Sequence, residues 1–211
     1  MKPLLIKVCG MRDDTNICQL RALTPDFMGL ICHPGSPRYV GLASTAIQGA
    51  SWSPVQKVGV FVNASVDEML AYHRAFGFNC IQLHGHETPE DCEMVRLQTG
   101  CRVLKAISVS GRADVERAES YCWATDYLLF DTHCTDFGGS GKTFDWSLLD
   151  HYQGTTPFFI SGGLGEQELS QLLGRQWPKW VGVDLNSRFE TAPALKDIAR
   201  LKKVIEQLRK Q

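Results

Sequence analysis

Val58-Gly59-Val60-Phe61-Val62, then Ser65-Val66-Asp67-Glu68, then Cys80-Ile81-Gln82-Leu83: these three stretches decide the fold. The outer two are short apolar runs. A run apolar at nearly every position suits a parallel strand covered on both faces. The middle stretch reads as a helix start. Ser65 can accept from a free backbone N–H, and Glu68 can reach back to close a capping box. Val66, Met69, Leu70, His73 and Phe76 then share one helical face, and Gly77 is a natural stop. The segment is a strand, a helix and a strand.

The pattern repeats along the chain. Apolar runs occur at Leu4 to Val8, Phe27 to Ile31, Val58 to Val62, Cys80 to Leu83, Val103 to Ile107, Tyr127 to Phe130, Phe158 to Ile160 and Val181 to Val183. They recur roughly every 20–30 residues, the spacing of βα units. Thr88-Pro89-Glu90-Asp91 starts another helix, with Pro89 at its first position and Gly100 at its end. Leu195, Ile198, Leu201, Ile205 and Leu208 have the spacing of a closing helix. The expected fold is α/β, a single-domain (β/α)₈ TIM barrel over residues 1–211. The strand count, and the lack of a G-x-G-x-x-G after the first strand, argue against an open doubly wound sheet. No linker or low-complexity segment divides the chain.

Charge excludes some functions. With 22 basic and 23 acidic residues the net charge is −1, so no basic face for nucleic acid is expected. No stretch is long enough to cross a bilayer, and Lys7 breaks the first apolar run too early for a signal segment. The eight cysteines are scattered without a C-x-x-C pair, which reads as reduced thiols in a cytoplasmic protein.

In such a barrel, chemistry sits where strands end and loops begin. Strand one ends in Cys9-Gly10, where a thiol would face solvent or substrate and can act as a base. Strand six ends in Asp131, either functional or a cap for the next helix. Arg38, in a Pro-rich loop, is either a solvated arginine or a fork for a carboxylate. Asp184 can bind sugar hydroxyls or hold the eighth loop. His84-Gly85-His86 lacks the accompanying ligands of a metal site, so His84 is expected to touch substrate or cap a helix. Gly139-Ser140-Gly141-Lys142-Thr143 imitates a P-loop, but Asp136 stands where its first glycine belongs. It reads as a mobile loop on the substrate side. Gly162 and Gly163 in loop seven let the backbone approach an anion, and Asn186 and Ser187 in loop eight can add donors. The set points to a phosphorylated substrate, an acid and a base, with no metal and no cofactor.

These residues together resemble the phosphoribosylanthranilate isomerase family. The resemblance is carried by Lys7-Val8-Cys9-Gly10, Ser36-Pro37-Arg38-Tyr39-Val40, Val58 to Asn63, Gln82-Leu83-His84-Gly85, Gly138 to Trp146, Ser161-Gly162-Gly163-Leu164 and Gly182-Val183-Asp184, in order over nearly the whole chain. It implies an Amadori rearrangement of N-(5-phosphoribosyl)anthranilate to 1-(2-carboxyphenylamino)-1-deoxyribulose 5-phosphate in tryptophan biosynthesis. It implies Asp131 as general acid, Cys9 as general base, Arg38 on the anthranilate carboxylate, Asp184 near the amine or sugar hydroxyls, and loops seven and eight on phosphate. The partner implied is a small phosphoribosyl molecule, with the chain a monomer or homodimer. Histidine-pathway relatives tend to use paired aspartates, whereas strand one here offers Cys9. A non-catalytic phosphoribosyl binder would need neither Cys9 nor Asp131. Two departures stand out. Arg188 occupies a position where the family has glycine, so it either takes an ordinary backbone conformation or adds charge near phosphate. Cys32-His33 replaces an aromatic pair and is expected to alter the wall of the anthranilate pocket.

Overall fold

The computed structural model describes residues 3–44, 52–132 and 143–210. Eight parallel strands close into a barrel in chain order. They are β1 (Leu5–Val8), β2 (Phe27–Ile31), β3 (Gln56–Phe61), β4 (Cys80–Leu83), β5 (Arg102–Val109), β6 (Tyr127–Thr132), β7 (Phe158–Ile160) and β8 (Trp180–Leu185). β8 pairs back onto β1, with Lys7 opposite Asp184. The helices are α1 (Asp14–Arg21), α2 (Val66–Phe76), α3 (Pro89–Thr99), α4 (Arg112–Arg117), α5 (Glu166–Leu172) and α6 (Ile198–Arg209). No helix of the described residues is long and apolar enough to cross a membrane.

The local signals act as read. Ser65 Oγ accepts from the Glu68 N–H, and α2 ends at Gly77 in the left-handed conformation. The two-way box forms one helix later, between Thr88 and Asp91, with α3 ending at Gly100. One reading is corrected. Leu195 does not belong to the last helix. It lies in β10 (Leu195–Lys196), paired antiparallel with β9 (Glu190–Ala192), and is 42% exposed. The helix starts three residues later, where Asp197 caps it by accepting from the Arg200 N–H. In loop six, Gly138 to Lys142 lie outside the described residues, and the described part before β7 is a 3₁₀ turn, Trp146–His151.

Strand alternation separates two cores. Cys9, Phe27, Val60, Cys80, Leu129 and Phe159 fill the barrel. Their neighbours Val8, Met28, Phe61, Ile81, Phe130 and Ile160 point outward and pack with helix residues such as Leu20, Met69, Val95, Leu169 and Leu201. One irregularity matters for the site. Phe158 pairs with Trp180, but Phe159 pairs with Gly182, so β8 carries an extra residue. This bulge resets the alternation so that Val183 and Leu185 join the outer core and Asp184 turns inward. A Cβ on Gly182 would come within 2.6 Å of the Phe159 ring, so the inner wall has no room for one there.

Beneath loop four lies a buried ion pair that no apolar pattern announced. Lys105 Nζ donates to Glu87 Oε2 at 2.9 Å and to the carbonyl oxygen of Gly85 at 2.7 Å. Glu87 in turn accepts from the N–H groups of Asn63 and Gly85, so loops three and four are joined to β5. The two side chains are 2% and 5% exposed. Breaking a buried pair from one side strands the other charge. Lys105→Met is therefore expected to destabilise the fold by about 3–5 kcal/mol. Urea unfolding of variant and parent checks this, and an unchanged midpoint would mean the pair is not a structural strut.

Candidate active site

The alternation that turns Ile6 and Val8 outward turns Lys7 and Cys9 into the barrel mouth. Lys7 is fully buried and donates to Asp184 Oδ2 at 2.7 Å. Burial alone would lower its pKa, but the Asp184 carboxylate and Cys9 outweigh burial and leave it above the ordinary lysine range. Asp184 feels the same opposition. Burial raises its pKa, Lys7 lowers it, Asp131 raises it and His84 lowers it, and the net direction is upward. Its second oxygen, Oδ1, is buried without a hydrogen-bond partner among the described residues. A buried carboxylate oxygen left open in a polar mouth is a place for a ligand donor.

Cys9 was expected to face solvent or substrate. The residue is only 4% exposed and its thiol packs on Gly29, where a Cβ would lie 2.7 Å from Sγ. Burial pushes the thiol pKa up, Lys7 pulls it down, Asp184 pushes it up and Lys196 pulls it down. The net shift is upward, so a proton removed from Cys9 leaves a strong base held between two ammonium groups.

Arg38 is buried, not solvated, at 8% exposure. Its Nε and Nη2 grip Glu190 at 2.6 to 3.1 Å. Glu190 also accepts from Lys196 Nζ at 2.6 Å, and Lys196 donates to Asn186 Oδ1 at 2.7 Å. The oxygen of Asn186 is thus committed to Lys196 and not to a phosphate. Despite burial, Arg38 and Lys196 hold the Glu190 carboxyl below its usual range. The two cations and one anion leave one net positive charge. The cluster sits beside Cys9-Gly10, because a Cβ on Gly10 would meet Arg38 Cδ at 2.6 Å and Asn186 Oδ1 at 2.9 Å. Among the described residues, Arg38 Nη1 makes no hydrogen bond and remains available to an incoming carboxylate.

Across the mouth, Asp131 is the penultimate residue of β6, with its side chain 22% exposed. Oδ1 accepts from the Thr132 N–H at 2.9 Å, and Oδ2 lies 3.2 Å from His84 Nε2. Loop seven presses against it. Gly162 has φ +88° and Gly163 φ +63°, and a Cβ on Gly162 would lie 2.8 Å from Asp131 Oδ1. Ser187 opens a 3₁₀ turn, Ser187–Phe189. Arg188 lies within that turn and is exposed, so it takes an ordinary conformation, not the one glycine would supply. Cys32 belongs to the outer core and does not wall the mouth.

The structure brings Cys9, Asp131, His84 and Asp184 to one mouth, with Arg38 at its β1–β2 side. It adds four residues that the sequence reading had not assigned: Lys7, Gln82, Glu190 and Lys196. A charged residue inside an apolar strand was the available signal for Lys7. Glu190 and Lys196 carried none, because Glu190 is fixed by Arg38 from the loop after β2 and Lys196 reaches Glu190 only through the β9–β10 pairing.

A model of the family described as N-(5'-phosphoribosyl)anthranilate (PRA) isomerase matches residues 6–207. The chain is 45% identical to N-(5'-phosphoribosyl)anthranilate isomerase of Phocaeicola vulgatus, over 99% of both chains. It superposes on the crystal structure of phosphoribosyl anthranilate isomerase from Thermotoga maritima with TM-score 0.85 and 29% identity, covering 99% and 100% of the two chains. A second solved isomerase holds reduced 1-(o-carboxyphenylamino)-1-deoxyribulose 5-phosphate and matches with TM-score 0.81 and 27% identity, over 99% and 100%.

The electrostatics of Cys9 can be read directly. Its alkylation by iodoacetamide, followed by mass spectrometry of the Cys9 peptide against pH, should have a midpoint above the ordinary thiol range. Lys7→Met removes a cation that favours the thiolate and should move the midpoint higher still. A midpoint that stays or falls would show that Lys7 does not act on the thiol.

Proposed function

The chain belongs to the N-(5'-phosphoribosyl)anthranilate isomerase family, and from that membership we propose that Asp131 and Cys9 are the acid and base of its reaction. The chain is an isomerase of tryptophan biosynthesis that converts N-(5-phosphoribosyl)anthranilate to 1-(2-carboxyphenylamino)-1-deoxyribulose 5-phosphate. The observation that carries the assignment of roles is the convergence of a buried thiol from β1 and a half-buried carboxyl from β6 on one mouth.

The chemistry needs two proton movements. Asp131 gives its proton to the furanose ring oxygen. The C1–O bond breaks, its electron pair stays on oxygen, and the nitrogen lone pair forms a C1=N iminium. The iminium acidifies the C2 proton, which the Cys9 thiolate takes. The C2–H electron pair forms a C1=C2 double bond and nitrogen recovers its lone pair. The resulting enolamine tautomerises to the ketone. Lys7 and Lys196 supply positive charge for the thiolate, and the iminium adds more when the base acts.

Recognition follows from the remaining groups. Arg38 Nη1 suits the anthranilate carboxylate, since Glu190 already fixes the other edge of the guanidinium. Asp184 Oδ1 suits a sugar hydroxyl or the amine N–H. The backbone of Gly162 and Gly163, with Ser187 and the amide nitrogen of Asn186, suits phosphate. A Cβ on Gly165 would lie 3.9 Å from Arg188 Cβ, so loops seven and eight come close on that side. All these groups come from one chain, so a monomer or a homodimer would hold complete sites.

Turnover of freshly prepared substrate, followed by loss of anthranilate fluorescence, tests the roles. Cys9→Ser and Asp131→Asn should each lower kcat by about 10²-fold or more, as for a lost general base or acid. Parent-like turnover in either variant would move that role to another residue.

A further inference from the structure

We propose that His84 and Asp131 act as one proton-holding pair, with His84 the positioning residue that keeps Asp131 supplied with the proton it donates. This rests on Asp131 being the acid. The motivation is chemical. Carboxyls titrate near pH 4, so an isolated one holds a proton in only about one molecule per thousand at pH 7. Imidazole titrates near 6.5. A carboxyl that shares a proton with an imidazole draws on a store that persists towards neutrality.

The geometry is that of such a pair. His84 Nε2 lies 3.2 Å from Asp131 Oδ2. The other ring nitrogen, Nδ1, lies 2.9 Å from the amide of Gln82, which is 1% exposed. Gln82 Oε1 is buried and has no hydrogen-bond partner among the described residues. A half-turn of that amide places Oε1 on Nδ1. With Nε2 of Gln82 facing the ring, Nδ1 accepts, and the proton on ring Nε2 points at the Asp131 carboxylate. With Oε1 facing it, Nδ1–H donates, and ring Nε2 is left to take up or release a proton. In that second state a proton from solvent binds ring Nε2, giving imidazolium beside carboxylate. It then passes to Asp131 Oδ2, giving neutral imidazole beside carboxylic acid, and from Asp131 to the substrate's ring oxygen. One proton enters and one is delivered.

The ring is held for this work and keeps access to water. Lys105 and Glu87 fix Gly85 from below, while the His84 side chain is 31% exposed. Among the described residues, the other charges facing the pair are Asp184 on β8 with Lys7 beside it on β1, and the Lys105–Glu87 pair under loop four. Asp184 is close enough for both His84 and Asp131 to act on it. Sequence reading offered His84 as a substrate contact or a helix cap. The pairing with Asp131 gives it a role through the acid.

The test is kcat of His84→Asn against pH, beside the parent. Asparagine keeps a polar contact to Asp131 but cannot hold the proton. At acid pH the solvent supplies protons directly, so the deficit should be small there. It should grow to about tenfold or more by pH 7.5, with KM nearly unchanged. Added imidazole should restore part of the neutral rate in His84→Ala. Gln82→Leu, which frees Nδ1, should give a weaker deficit of the same shape. A deficit constant with pH, or one confined to KM, overturns the proposal. Asp131→Asn separates the two readings. If it turns over normally, Asp131 is not the acid and the role assignment falls. If it is inactive while His84→Asn shows a flat deficit, only the pairing falls.

Discussion

Inside a closed eight-stranded barrel, every second residue of each strand points at the others and away from water. That constraint governs this molecule. The lower interior satisfies it with apolar side chains, Phe27, Val58, Leu104 and Phe159 among them. The upper interior cannot, because chemistry requires polar groups there. Each of those groups must therefore find a partner of opposite charge or a hydrogen bond within the mouth. Lys7 has Asp184, Arg38 and Lys196 share Glu190, and His84 joins Gln82 to Asp131.

Among the described residues, the pairing is complete apart from a few atoms. Asp184 Oδ1 and Arg38 Nη1 are open to a ligand while their other polar atoms are held. Holding one edge of a side chain and leaving the other open is what pre-organisation means physically. The rotamer is fixed before binding, so less entropy is lost when the ligand arrives. The same logic runs below the site. The Lys105–Glu87 pair fixes the loop that carries His84, so a stabilising element and a functional one share their atoms.

Charge is also distributed with purpose across the mouth. On the Cys9 side, Lys7, Lys196 and Arg38 are set against Asp184 and Glu190, leaving an excess of positive charge near the thiol. On the Asp131 side, Asp131 and His84 act on the Asp184 carboxyl in opposite directions. The proposed base is flanked by cations and the proposed acid by a carboxylate and an imidazole, environments that differ in sign. Two proton transfers of opposite direction can then occur a few bonds apart on one small substrate.

The sequence by itself determined the strand positions, the helix caps and the barrel. These rest on nearest-neighbour physics: the period of two in a strand, the free N–H groups at a helix start, the stop at Gly77 or Gly100. It also marked Cys9 and Asp131, because a reactive side chain just beyond an apolar strand lies at the end where loops begin. It missed Leu195, whose helical spacing was overridden by the β9–β10 pairing that brings Lys196 to the site. Only tertiary structure decided the partners. Lys7 and Asp184 are 177 residues apart, and Arg38 and Glu190 are 152 apart. Their meeting depends on ring closure and on the β8 bulge that turns Asp184 inward. No local pattern records those features, because the energy that selects a buried charge's partner exists only once the barrel has closed around both.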